Sequence, residues 1–135
     1  MRIGLTSGCF DLIHYGHVHY LERCKNLCDK LLVGVDCDAM VREAKGADRP
    51  VIPELERLEM IQNLAPVDAA FLLPSVDGLE EIVRQFQVTF LFKHRAFLHG
   101  SVVGVGTGLA ALVIVPDIPG LRSTSEIIRR IRHEE

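Results

Sequence analysis

The sequence predicts an α/β fold built on a doubly wound parallel sheet of five strands with helices on both faces. Three observations carry that prediction. Short apolar runs alternate with segments of helical period, and strand–helix–strand alternation favours parallel pairing through right-handed crossovers. Leu31-Leu32-Val33-Gly34-Val35 is apolar at nearly every position, as a strand covered on both faces is. The chain has 135 residues, 48% of them apolar and 24% charged, which suits a single domain spanning 1–135.

The first strand is predicted from Arg2 to Thr6, followed by a turn at Ser7, Gly8 and Cys9. His14-Tyr15-Gly16-His17 stands where the next helix begins, and Val18, Leu21, Cys24 and Cys28 give that helix its apolar face. Leu31 to Asp36 forms the second strand, and Asp38 caps a short helix over Ala39–Ala44 that breaks at Lys45-Gly46. Gly46 to Pro50 is loop by composition. A helix then opens at Pro53, turning Leu55, Leu58, Ile61 and Leu64 inward. Ala69–Leu73 is the third strand. Asp77-Gly78 starts a helix with Leu79, Ile82, Val83 and Phe86 inward. The last two strands are placed at Val88–Phe92 and Leu112–Val115, and between them Lys93 to Ala111 reads equally as partial helix or irregular loop. The final helix covers about Ser125 to Arg132, N-capped by Ser123 or Thr124, with Ile127, Ile128 and Ile131 inward. Together these make a small Rossmann-like sheet whose ligand crevice lies at the carboxyl ends of the strands.

A strand, a small-residue turn and a helix N-terminus make an anion site, because free backbone N–H groups and the positive end of the helix dipole meet there. His14 and His17 bracket Gly16 at that spot, and the glycine would let a ligand approach the main chain. A metal site of His14, His17 and His19 lacks a carboxylate or thiol to complete it. Gly104, Gly106 and Gly108 have the wrong spacing for a dinucleotide fingerprint.

Gly8-Cys9-Phe10-Asp11-Leu12-Ile13-His14-Tyr15-Gly16-His17 resembles the signature of the His-x-Gly-His nucleotidylyltransferases. This superfamily includes glycerol-3-phosphate cytidylyltransferase and the adenylyltransferase of ADP-heptose synthesis. The similarity continues through Lys45-Gly46, Arg49-Pro50, Pro53, Glu56-Arg57 and Ser123-Thr124-Ser125. It implies transfer of a nucleoside monophosphate from a triphosphate to a small phosphate- or phosphonate-bearing acceptor, releasing pyrophosphate. CMP is favoured as the transferred group, with adenylyl transfer to a heptose phosphate as the alternative. A nucleotide-binding regulatory domain without turnover is the alternative from another class.

By the same resemblance His14 and His17 stabilise the five-coordinate α-phosphate, and Lys45, Arg57, Lys93 and Arg122 complete a cationic clamp. Transfers of this kind need positioning and charge neutralisation more than covalent help. Thr6, Ser7, Gly8, Cys9, Phe10 and Gly16 would line the nucleotide, with Ser123, Thr124 and Ser125 on the β- and γ-phosphates. A plain N-cap uses the same free N–H groups, so both readings coexist at Ser123. For Lys45 the alternative is a simple helix end, and for Arg57 a surface ion pair with Glu54 or Glu56. Mg2+ is expected on the triphosphate, held by phosphate and water rather than by protein side chains.

Lys93-His94-Arg95-Ala96-Phe97-Leu98-His99-Gly100 departs from the relatives' acceptor segment, where an acidic residue precedes an aromatic one. His94, Arg95 and His99 suggest a small, strongly anionic acceptor. Asp11 and Asp36 join His94 and Arg95 as acceptor-side candidates, although Asp11 and Asp38 are also suited to fixing loops.

Net charge is −3, so no global basic field points to nucleic acid or an acidic membrane. Cys9, Cys24, Cys28 and Cys37 lack metal spacing and read as reduced residues of a cytoplasmic protein. No leader or membrane-spanning run is expected. Relatives suggest a homodimer, with Val67 to Leu73 as a contact.

Overall fold

A computed structural model describes residues 1–94 and 110–133. Its elements follow in the order β1 (Ile3–Gly8), α1 (Tyr15–Asn26), β2 (Lys30–Asp36), α2 (Asp38–Lys45), α3 (Glu54–Gln62), β3 (Ala69–Leu73), α4 (Gly78–Gln85), β4 (Phe90–Lys93), β5 (Ala111–Ile114) and α5 (Thr124–Ile131). The five strands form one sheet in the order β3-β2-β1-β4-β5. Every pairing is parallel, so all the amino ends lie at one side of the sheet and all the carboxyl ends at the other. The predicted doubly wound architecture is the one observed.

Alternation along β2 explains the two layers. Leu31, Val33 and Val35 pack with Leu21 and Cys24 of α1, Cys28 just after it and Ile61 of α3. On the opposite face Leu5 and Leu91 meet Leu79 and Val83 of α4, with Met40 of α2 against them. Gly4 sits in β1 because the first layer leaves no room for a side chain there: a Cβ would stand 2.3 Å from Phe92 Cε2 and 2.9 Å from Cys28 Sγ.

The differences from expectation have local causes. Ser7 and Gly8 are strand rather than turn, since β1 continues in register with Gly34 and Val35 of β2. The turn moves to Cys9–Leu12, where Phe10 and Leu12 hold φ of 54° and 51°, a conformation that costs non-glycine residues about 1 kcal/mol or more. Leu55 is 67% exposed and Arg57 is buried instead. The helical period of α3 therefore points a guanidinium, not Leu55, at the sheet. Phe86 and Ile131 are likewise exposed, each at the C-terminal end of a short helix. Ser123 is the N-cap of α5, its Oγ accepting from Glu126 N–H at 3.1 Å. Of the ambiguous segment between β4 and β5, residues 95–109 lie outside those described; this includes Arg95, His99 and the three spaced glycines.

Candidate active site

At the carboxyl end of β1 a pocket of about 360 Å3 opens between the Cys9–His17 segment, the end of α2 and the start of α5. His14 is the N-cap of α1. Its Nδ1 accepts from Gly16 N–H at 3.1 Å, and His17 Nδ1 accepts from His14 N–H at 3.2 Å. An imidazole whose Nδ1 accepts must carry its proton on Nε2 when neutral. Each ring, fixed at one nitrogen by the backbone, therefore offers its other as a donor. The rings lie 3.9 Å apart between centroids, and both line the pocket. Gly16 has a reason the sequence did not supply: a Cβ there would come within 2.9 Å of His14 Cε1. The position keeps room for the histidine.

Burial, with His14 and Lys45 adding to it, lowers His17 to a pKa of about 4, and burial lowers His14 as well. The His17 ring is therefore neutral at pH 7, and burial biases His14 the same way. A lowered native pKa means that the unfolded chain takes up a proton first, below its usual value of about 6.5. Stability is therefore complete above that pH and falls as the pH drops towards 4. We expect the His17 contribution to amount to up to about 3 kcal/mol over that window. Urea melts at pH 7, 5.5 and 4.5 should show a shallower acid slope for His17→Gln, which keeps an acceptor for His14 N–H.

Asp11 ties two segments to the β1 turn. Its carboxylate accepts from Val51 N–H at 2.8 Å, Ile52 N–H at 2.9 Å and Arg49 Nε at 3.3 Å. Its carbonyl accepts from Thr124 Oγ1 at 2.8 Å. The loop after α2 and the N-terminus of α5 are thereby held against the β1 turn. Lys45 ends α2, and Gly46, with φ of 112°, closes the helix by donating to Arg42 O at 2.9 Å. Lys45 is thus both a helix end and a wall of the pocket.

Of the residues singled out from sequence, Ser7, Gly8, Cys9, Phe10, Asp11, His94, Arg122, Ser123, Thr124 and Ser125 share that wall with the two histidines, Gly16 and Lys45. Burial raises the Cys9 thiol, with Lys45 and Arg57 partly offsetting it. Four positions lie elsewhere. Thr6 is buried, bonded to Tyr20 Oη at 2.8 Å and donating to Phe92 O at 3.1 Å. Arg57 is beneath the turn rather than on the surface. It donates to Cys9 O at 2.6 Å, Asp36 O at 2.8 Å, Ile52 O at 2.8 Å and Asp38 Oδ1 at 2.8 Å. Lys93 and Asp36 form a second group at the strand ends, with Lys93 Nζ donating to Ser7 Oγ at 3.5 Å. Burial lowers the lysine and raises the aspartate, and each offsets the other's shift.

The pocket also takes in His19, weighed from sequence only as a metal ligand, and residues that sequence reasoning passed over: Tyr20, Arg23, Pro116, Asp117, Ile118 and Leu121. Arg23 Nη1 donates to Pro116 O at 2.5 Å, fixing the loop after β5 to α1. The signal available for this was the helical spacing of His19 and Arg23. Nothing in the sequence pairs Arg23 with a residue 93 positions on.

A family model described as cytidylyltransferase-like matches residues 5–109. The bifunctional protein HldE of Acidiphilium cryptum (strain JF-5) is 38% identical over 134 residues, covering 97% of this chain and 27% of its own length. The protein of the same name from Caulobacter vibrioides is 35% identical over 133 residues, again covering 97% and 27%. The chain thus spans about a quarter of the length of these curated relatives. A crystal structure of the lipopolysaccharide core biosynthesis protein from Thermoplasma volcanium GSS1 superposes with a TM-score of 0.75 at 27% identity, covering 87% of this chain and 98% of that one.

Proposed function

This chain belongs to the cytidylyltransferase-like family, and on that footing we propose that it transfers AMP from ATP to the phosphate of a small phosphorylated sugar. The observation that carries the chemistry is the pair of imidazoles pinned through Nδ1, with Lys45, Arg122 and the α5 N-terminus around the same pocket. An oxygen of the acceptor phosphate attacks the α-phosphorus in line. The bond from that phosphorus to the oxygen bridging the β-phosphate breaks, and pyrophosphate carries the electron pair away. His14 and His17 donate from Nε2 to the α-phosphate oxygens as their charge grows, and fixed donors need no reorganisation as the reaction proceeds. Lys45, Arg122 and the free N–H groups of α5 take the outer phosphates.

The choice of adenylyl over cytidylyl transfer is supported by similarity to HldE proteins and to a lipopolysaccharide core biosynthesis protein. The resemblance of Arg49-Pro50, Pro53 and Arg122-Ser123-Thr124 to heptose-phosphate adenylyltransferases points the same way. The CMP reading rests on the unusual Lys93–Gly100 sequence, most of which lies outside the described residues. Among the described residues no three His, Cys, Asp or Glu side chains gather as a metal site. Magnesium would arrive on the triphosphate, held by phosphate and water. No helix among them is long and apolar enough to cross a membrane.

Pyrophosphate release, followed for four nucleoside triphosphates against sugar 1-phosphates, polyol phosphates and phosphonates, tests the proposal. ATP with a sugar 1-phosphate should be the fastest pair. Fastest turnover with CTP would return the CMP reading, and no release with any pair would overturn transfer altogether.

A further inference from the structure

Beside the main pocket, a second space of about 210 Å3 lies between the loop after α2 and one face of α5. Ser125, Arg129 and Arg132 fall at i, i+4 and i+7 and present one helix face to Lys45, Asp48 and Arg49. Four cations therefore surround this space, with Asp48 as the one carboxylate on its wall. Asp48 stands 3.6 Å from Arg132, and Asp11 engages Arg49 through Nε. Lys45 and Arg129 have no ion pair among the described residues. The Arg49 side chain is only 11% exposed, and its Nη2 is buried without a hydrogen-bond partner. Buried guanidinium N–H groups are normally satisfied. The helix dipole favours any basic residue in the last turn of α5, yet it does not select a face. Arg130 enjoys the same field and does not line this space.

Lys45 and Ser125 belong to both walls, so the two spaces share an edge. We propose that the second space is an anion subsite in which Arg49, Arg129 and Arg132 hold a phosphate group of a ligand seated in the main pocket. It rests on reading the main pocket as a polyphosphate site. The phosphate has two sources, the terminal phosphate of the triphosphate or a phosphate on the acceptor, and one chemistry serves both.

Arg129 and Arg132 are exposed, so Arg129→Gln with Arg132→Gln should fold as the wild type does, which circular dichroism would check. Calorimetric titration with inorganic tripolyphosphate and with AMP gives the direct readout, and KM values for triphosphate and acceptor give the second. The double variant should bind tripolyphosphate at least about tenfold more weakly, the loss of one charge-assisted hydrogen bond, with AMP affinity unchanged. A matching rise in KM for the triphosphate assigns the subsite to its terminal phosphate. A rise in KM for the acceptor alone, with tripolyphosphate binding retained, assigns it to the acceptor. Tripolyphosphate affinity and both KM values all within twofold of wild type would overturn the subsite. Tripolyphosphate binding needs no turnover, so it reports on the subsite even if no acceptor reacts.

Discussion

Replacing His17 by alanine should lower kcat by about a hundredfold to a thousandfold, with little change in the affinity for the triphosphate. The expectation follows from how the ring is held. Its Nδ1 accepts the backbone N–H of His14, which leaves Nε2–H as the donor. Phe10 and His14 flank it, with ring centroids at 5.7 and 3.9 Å. A donor locked in this way interacts best with the charge that develops at the α-phosphate, and less with the ground state, so its loss appears in turnover rather than in binding. Alanine is the best helix former and suits position 17 inside α1. Single-turnover rates and triphosphate titrations on the same preparation separate the two effects. Turnover within threefold of wild type would remove His17 from the chemistry.

Arg57→Met should cost about 3 kcal/mol, because it breaks an ion pair whose arginine is buried and strands the carbonyls that arginine serves. The side chain is 1% exposed and faces Asp38 at 2.8 Å, and three carbonyls accept from it as well. These carbonyls belong to the β1 turn, the end of β2 and the residue before Pro53. One guanidinium therefore holds the floor of the pocket to two neighbouring segments. For a domain of this size the loss corresponds to a fall in Tm of about 10 °C or more. Thermal melts monitored by circular dichroism would measure it. A variant that melts like the wild type but shows a raised KM for the triphosphate would make Arg57 a ligand-binding residue instead of a tie.

Much of the fold was legible because its strongest signals are local. The uninterrupted apolar run of β2 and the three- and four-residue spacing of α1 depend only on neighbouring residues. The position of the two histidines was legible for the same reason, since a strand, a turn and a helix start can be read within seventeen residues. Arg57 was misplaced because burial of a cation depends on acceptors brought from Cys9, Asp36 and Ile52, which no periodicity announces. The turn at Phe10 and Leu12 escaped for another reason. Composition marks glycine as the residue for positive φ, and here a phenylalanine and a leucine adopt it on either side of Asp11, whose hydrogen bonds hold the bend. The wall formed by Pro116 to Leu121 depends on the Arg23 bond to Pro116 across the pocket. Such long-range pairings become visible only in three dimensions.

The common direction of the five strands has a practical consequence. β1 enters the sheet at Ile3 and delivers its last residue to the pocket five positions later, about 17 Å away along the strand. An affinity handle or surface linker attached ahead of Met1 would emerge from the far side of the molecule. Immobilised in that orientation, the chain keeps its mouth towards bulk solution, which suits capture formats that must admit small charged solutes freely.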